Sequence, residues 1–250
     1  MSDEEALLRA IVANPEDDLR RLVYADWLDE RGQPQDVARA EFIRLQCERE
    51  QLSPGSGLTT QEMALLDWEH EWSWYLPEGL RAGRRYQRGF PYHIECSADS
   101  LIAAWHAGLM LVPVESLTLN ISHVSIDWMT LDPPAVMFPL QALSIRCHSP
   151  VGSELLQQLI RFGPYLRLQS LGIHDPYLGD NVFDSIEPDP NFPALLQLDL
   201  RGCNIGDEGA ERLAVSLWTT RLEQLVLAEN AISPSRVEWL RTVYGDALVI

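Results

Sequence analysis

Two apolar rhythms divide the chain. Over residues 2–51 apolar positions recur at helical spacing, with Leu7, Leu8, Ile11 and Val12 in one stripe and Leu19, Leu22, Val23 and Trp27 in the next. Ser2 and Glu5 stand at capping-box spacing, Asn14-Pro15 offers a cap followed by a first-turn proline, and Gly32 ends the second helix. Asp36 is placed to cap a third helix that turns Ala38, Phe42 and Leu45 inward. Ser53-Pro54-Gly55-Ser56-Gly57 reads as a flexible connector, and a fourth helix over about 59–75 carries Trp68, Trp72, Trp74 and Tyr75.

Beyond residue 110 the helical rhythm gives way to an internal repeat. The pattern LxxLxL occurs as Val114-Leu117-Leu119, Leu140-Leu143-Ile145, Leu168-Leu171-Ile173, Leu195-Leu198-Leu200 and Leu222-Leu225-Leu227. Its central leucines at 117, 143, 171, 198 and 225 are 26, 28, 27 and 27 residues apart. Leucines at the fourth and sixth motif positions lie on one side of a short strand, so they share a core, and the rest of each repeat returns the chain to the next strand. Asp207 opens a helical return with Ala210, Leu213, Ala214 and Leu217 inward, Ser233-Pro234 caps another before Val237 and Leu240, and Ser153 precedes Leu155, Leu156, Leu159 and Ile160. Pro133-Pro134 in the first return and Pro188, Pro190 and Pro193 in the third predict loops or single turns. Residues 92–96 predict a capping strand, followed by a helix with Leu101, Ile102, Trp105 and Leu109, and Leu248-Val249-Ile250 a last short strand.

The fold class expected is α/β: a repeat solenoid with parallel strands inside and helices or loops outside, preceded by a small all-helical N-terminal domain. Residues 1–52 form that domain, 53–89 a linker with a Trp-rich capping helix, and 90–250 the capping strand and five repeats. Trp68, Trp72 and Trp74 are expected to cover the open end of the array, because terminal repeats need a cap.

Composition narrows the function. A hydrophobic content of 46% over 250 residues suffices for a real core. A net charge of −18 and a pI near 4.6 repel phosphate and favour a basic protein partner over nucleic acid. All 19 basic residues are arginine, which excludes Schiff-base and phosphate-binding lysines. Arginine-rich codon usage explains that bias; selection beside a lysine-modifying system is the other reading. The scattered Cys47, Cys96, Cys147 and Cys203 suit reduced thiols. The acidic start is unlike a signal peptide, and no apolar run approaches the ~18–20 residues of a membrane span, so a cytoplasmic location away from membranes is expected.

The repeats resemble leucine-rich repeats of the ribonuclease-inhibitor type, most closely along Leu195-Leu196-Gln197-Leu198-Asp199-Leu200-Arg201-Gly202-Cys203-Asn204-Ile205-Gly206-Asp207-Glu208-Gly209. Cys203 and Asn230 fill the ninth position, where the resemblance implies a side chain that closes the turn; Ser122, His148 and Pro176 depart from it. Residues 3–50 resemble the repeat-companion domain that precedes leucine-rich repeats in planctomycete and myxobacterial proteins. That resemblance rests on Asp18-Leu19-Arg20, on Leu22-Val23-Tyr24-Ala25-Asp26-Trp27-Leu28-Asp29-Glu30-Arg31-Gly32 and on Ala40-Glu41-Phe42-Ile43-Arg44-Leu45-Gln46, with Arg88-Gly89-Phe90 further on. It implies an architecture, a helical head on a repeat array, and no chemistry.

Enzyme motifs are missing. His70-Glu71 begins like a zincin helix but meets Trp74 where a second histidine is required, and His93, His106, His123, His148 and His174 lack ligand spacing. There is no GxGxxG or Walker motif, and Gly55-Ser56-Gly57 follows no strand. The reading is a non-enzyme with no catalytic residue, cofactor or metal: a protein-interaction module, an adaptor or regulatory subunit of a bacterial complex. Asp26 and Glu41 are expected to pair with Arg20, Arg39 or Arg44, and the basic run at 81–88 to be a solvated connector. The alternative, a catalytic or nucleic-acid role for the helical head, requires Tyr24, Asp26, Glu41 and Arg44 to converge in an open cleft.

Strand alternation places the binding surface. Ser116, Ala142, Ser170, Gln197 and Gln224 form one outward column; Thr118, Ser144, Gly172, Asp199 and Val226 the next; and Asn120, Arg146, His174, Arg201 and Ala228 the third. Arg146, His174 and Arg201 are the expected anchors for a partner, unless the arginines only offset Asp199 or Asp175. Asp175, Asp180, Asp184, Glu187 and Asp189 lie in a stretch, 168–200, without arginine, and would dock a basic surface.

Overall fold

The computed structural model describes residues 2–72, 80–82, 85–97, 99–101, 112–122, 140–148, 167–180, 192–215 and 221–250. Contacts divide the chain into two units: Met1–Ile94 with Ala103–Val114, and Glu95–Ile102 with Glu115–Ile250.

The first unit holds α1 (Asp3–Ala13), α2 (Asp18–Arg31), α3 (Pro34–Leu52) and α4 (Thr60–Leu65). Ser2 caps α1 by accepting the Glu5 N–H. The second cap falls later than the Asn14-Pro15 pattern predicts: Asn14 ends α1, and Asp17 caps α2 by accepting the Leu19 N–H. A carboxylate there both takes up a free amide and meets the positive end of the helix dipole. Likewise α3 starts at Pro34, and Asp36 lies in its first turn, 3.0 Å from Arg31 Nε.

The inward face of α2 also differs from the apolar stripe. Leu19 and Val23 are exposed, while Arg21, Tyr24, Ala25 and Leu28 are buried. Counting arginine as an outward residue fails here because a guanidinium can pack on rings and bury its stem. Arg21 lies over Phe90 at 5.6 Å, and Arg39 over Tyr24 at 5.3 Å. Phe90 itself comes from the short hairpin of β2 (Tyr86–Gln87) and β3 (Phe90–Pro91), which follows β1 (Arg81–Ala82). Its turn residue Gly89 (φ +80°) donates its N–H to Gln46 Oε1 at 2.8 Å. A Cβ on Gly89 would fall 2.6 Å from Ile43 Cα, so only glycine lets the hairpin seat on α3. Arg88 adds ion pairs to Glu16 at 2.7 Å and Asp18 at 3.0 Å.

The fourth helix is shorter than expected. It tightens to a 3-10 turn over Leu66–Glu71, and Trp72 is extended. Trp72 is buried against Phe42 (centroids 5.3 Å apart) and donates Nε1–H to the Gln35 carbonyl at 3.0 Å. Its burial among the described residues is against α3. Trp68 is exposed, and Trp74 and Tyr75 lie outside the described residues.

The sheet of the second unit runs in chain order through β4 (His93–Ser97, of which Glu95–Ser97 belong to this unit), β5 (Ser116–Ile121), β6 (Ala142–Cys147), β7 (Ser170–His174), β8 (Gln197–Asp199), β9 (Gln224–Val226) and β10 (Leu248–Val249). The pairs from β5 to β10 are parallel, and Leu117, Leu143, Leu171, Leu198 and Leu225 stand side by side in register. All five are at most 3% exposed. Two returns are described: α5 (Asp207–Val215) buries Ala210 and Leu213, and α6 (Pro234–Tyr244), capped by Ser233, buries Leu240. The returns expected around Pro133-Pro134, Ser153 and Pro188, the helix with Ile102, Trp105 and Leu109, and Leu217 lie outside the described residues.

Turn closure splits the repeats into two kinds. In the last two, Gly202 (φ +64°) and Glu229 (φ +61°) at the eighth motif position are left-handed, and the ninth residue turns inward. Cys203 Sγ then reaches the Ile173 carbonyl at 2.9 Å. Asn230 Oδ1 accepts the Cys203 and Ile205 N–H groups, and its Nδ2 donates to the Leu200 and Leu227 carbonyls, all within 3.0 Å. In the first three repeats the strand alternation runs on, so the eighth residue is inward: Ile121, Cys147 and Asp175 are buried. Neighbouring returns are also joined by carboxylates. Asp180 accepts the Gly206 N–H at 2.6 Å, and Asp207 accepts both the N–H and the hydroxyl of Ser233 at 2.7 Å. Leu225→Ala removes a side chain that is 0% exposed and should cost about 2–5 kcal/mol of unfolding free energy; equilibrium urea denaturation checks this.

Candidate functional site

The lateral register sets the outward columns residue against residue. Ser116, Ala142, Ser170, Gln197 and Gln224 are aligned, as are Thr118, Ser144, Gly172, Asp199 and Val226. Gln197 and Gln224 are exposed and the three small residues beside them half-buried. The second column is recessed: Thr118, Gly172 and Val226 are buried between lateral neighbours, and Ser144 and Asp199 are half-buried. A Cβ on Gly172 would sit 3.3 Å from His174 Nε2 and 3.6 Å from Ser144 Oγ, so the imidazole folds over the bare glycine.

The third column carries the charge. Glu95 of β4 accepts from Asn120 Nδ2 at 3.0 Å and from Arg146 Nη1 at 3.3 Å. Arg201 forks onto Asp199, with Nε at 3.0 and 2.9 Å from the two oxygens and Nη2 at 2.7 Å. The side chains of Arg146 and Arg201 are each 51% exposed. Exposed pairs of this kind contribute about 0–1 kcal/mol, so a partner can exchange into them at little cost. Between them His174 makes no hydrogen bond among the described residues. Burial holds its pKa below the ordinary value; Asp199 opposes that shift, while Arg201 and Arg146 add to it. Glu95 was outside the sequence-based site, although it falls at an outward position of the strand predicted at 92–96.

Two expected site residues are placed elsewhere. Asp175 is 0% exposed, because strand alternation carries the eighth motif position inward; one oxygen accepts the Tyr177 N–H at 2.8 Å. Asp180 is half-buried at the start of α5, where its bond to Gly206 gives it a structural task. Neither offers a free carboxylate to a basic surface, and Asp184, Glu187 and Asp189 lie outside the described residues.

In the first unit Tyr24, Asp26, Glu41 and Arg44 fall into separate contacts. Tyr24 donates to Glu4 at 3.0 Å, Asp26 and Asp29 share Arg44 at 2.6 Å each, and Glu41 accepts from Gln61 at 2.8 Å. Arg20 binds Asp17 at 3.0 Å. Burial pushes the thiols of Cys47, Cys96 and Cys147 up to about 12 and that of Cys203 to about 11, so all four stay protonated at neutral pH. Among the described residues no helix is long and apolar enough to cross a membrane.

Residues 194–214, which span β8, its turn and most of α5, match the family model of a leucine-rich repeat. No curated protein sequence matches the chain.

Because the folded protein binds the His174 proton more weakly than the unfolded chain does, the residue's contribution to stability is complete above its ordinary value of 6.5. It is lost as pH falls from there through the lower folded value. His174→Asn should therefore flatten the decline in urea stability between about pH 7.5 and about pH 5.5; equal slopes in both proteins would contradict the assignment.

Proposed function

We propose that this chain is a non-catalytic protein-interaction module that holds its partner on the outward face of the parallel sheet. The observation that carries the reading is the in-step array itself. Five strands present small or uncharged side chains, Ser116, Ala142, Ser170, Gln197 and Gln224, beside exposed and readily exchanged ion pairs at Arg146 and Arg201. Leucine-rich repeats commonly serve protein binding, and a face of this kind lets another chain approach closely.

On this reading the repeats form a solenoid of ribonuclease-inhibitor type, the sheet lines its concave side, and residues 1–52 form a helical companion domain at its head. The protein acts as an adaptor or regulatory subunit of a cytoplasmic bacterial complex. An overall charge of −18 would steer a basic partner toward it and make association faster at low salt.

The test uses the partner recovered with the full chain by in-cell crosslinking from a photoreactive residue at Gln197. Arg146→Ala combined with Arg201→Ala should leave the circular dichroism spectrum intact and weaken binding of that partner more than about tenfold. A folded double variant that binds normally would move the interface off this face.

A further inference from the structure

The third column has an order of charges that selects among partners. Across the sheet it reads Glu95, Asn120, Arg146, His174, Arg201 and Ala228, with Glu229 next along the chain. Glu229 lies against Gly202, where a Cβ would be 3.9 Å from its carboxylate, and its charge acts on Arg201. The row is thus positive at its centre and negative at both ends. Among the described residues Arg146 has Glu95 as its polar partner, at 3.3 Å, and Arg201 uses Nε and Nη2 on Asp199. Together with the imidazole, that leaves nitrogen donors facing outward across β6 to β8, two strand spacings or about 10 Å.

This order disfavours two occupants that would cover the whole row. A second copy docked face to face would use a two-fold axis in the plane of the contact. With the axis along the row each charge meets its own copy; with the axis along β7 Arg146 meets Arg201. Either way like charges oppose each other. A polyanion fits no better, because Glu95, Asp199 and Glu229 border the donors and the whole chain carries −18.

Resting on the reading of this face as a protein-binding surface, we propose that Arg146, His174 and Arg201 together bind one carboxylate of the partner. Basic side chains on either side of that carboxylate meet Glu95 and Glu229. The planar forks of the arginines suit a carboxylate, and the imidazole, seated over Gly172, lies between them. The groups facing His174 are Ser144 and Arg146 from β6, and Asp199 and Arg201 from β8 and its turn. Protonation of His174 adds a donor and a charge to the same receptor, so carboxylate binding strengthens as pH falls through its titration.

The experiment uses two synthetic peptides on the full chain: a glutamate flanked by a lysine about three residues away on each side, and the same peptide with glutamine for glutamate. Bulk electrostatics favours the glutamine peptide, since it is the more basic and the protein is acidic. The proposal predicts the reverse, with the glutamate peptide binding at least about tenfold tighter and shifting the His174 ring resonance. That preference should grow on going from about pH 7.5 to about pH 5.5, except in His174→Asn, and should vanish in Arg146→Gln with Arg201→Gln while surviving Gln197→Ala. Equal or tighter binding of the glutamine peptide, or no binding of either at about millimolar concentration, overturns the carboxylate receptor. Binding that depends on Gln197 and Ser170 but not on the arginines overturns it and leaves the binding face standing. Binding untouched by any of these substitutions removes both.

Discussion

A strand of three to six residues cannot satisfy its own backbone or cover its own leucines, and every other feature of the second unit depends on that constraint. In a parallel sheet the amides and carbonyls of one strand are completed only by its neighbours, and a leucine at the fourth motif position is buried only if the next repeat brings its own leucine alongside. The lateral row Leu117, Leu143, Leu171, Leu198 and Leu225 meets both demands at once. A slip by one residue would turn the leucines outward and the serines and glutamines inward, so the register is fixed by the same burial that stabilises it.

The outward face inherits its order from that inward one. Arg146, His174 and Arg201 stand in one line because the leucines three residues before them are in register, and the turn devices then hold the line firm. Asn230 satisfies backbone groups on two successive repeats, and Asp180 and Asp207 each reach the start of the following helix. These contacts join one repeat to the next, which keeps the spacing of the charged row constant without any packing on the outward side. The ion pairs on that row are half exposed and individually weak, which suits a surface whose contacts must be exchanged for those of a partner.

Much of this was legible in the sequence, and the failures have local causes. The strand positions and their columns follow from the spacing of the leucines alone, because a repeat near 27 residues admits few other solutions. The face of α2 was not legible, since Arg21 is buried under Phe90, a ring supplied from residues about seventy positions away. The burial of Asp175 is not legible from the motif, which assigns the inward turn to the ninth residue. Only the structure shows that the alternation of β7 runs on into Asp175, whereas the backbone turns left-handed at Gly202 and Glu229 in the last two repeats. Glu95 was missed although alternation in its strand points it outward, because no repeat motif marks that strand.

The central claim is the lateral register, and interstrand nuclear Overhauser contacts on the uniformly labelled protein test it most directly. Interstrand Hα-to-amide contacts of parallel pairing should link β5 at Leu117 with β6 at Leu143, and so on through Leu171, Leu198 and Leu225. Close Hα-to-Hα contacts of antiparallel pairing between any two of these strands, or a pairing offset by one residue, would contradict it.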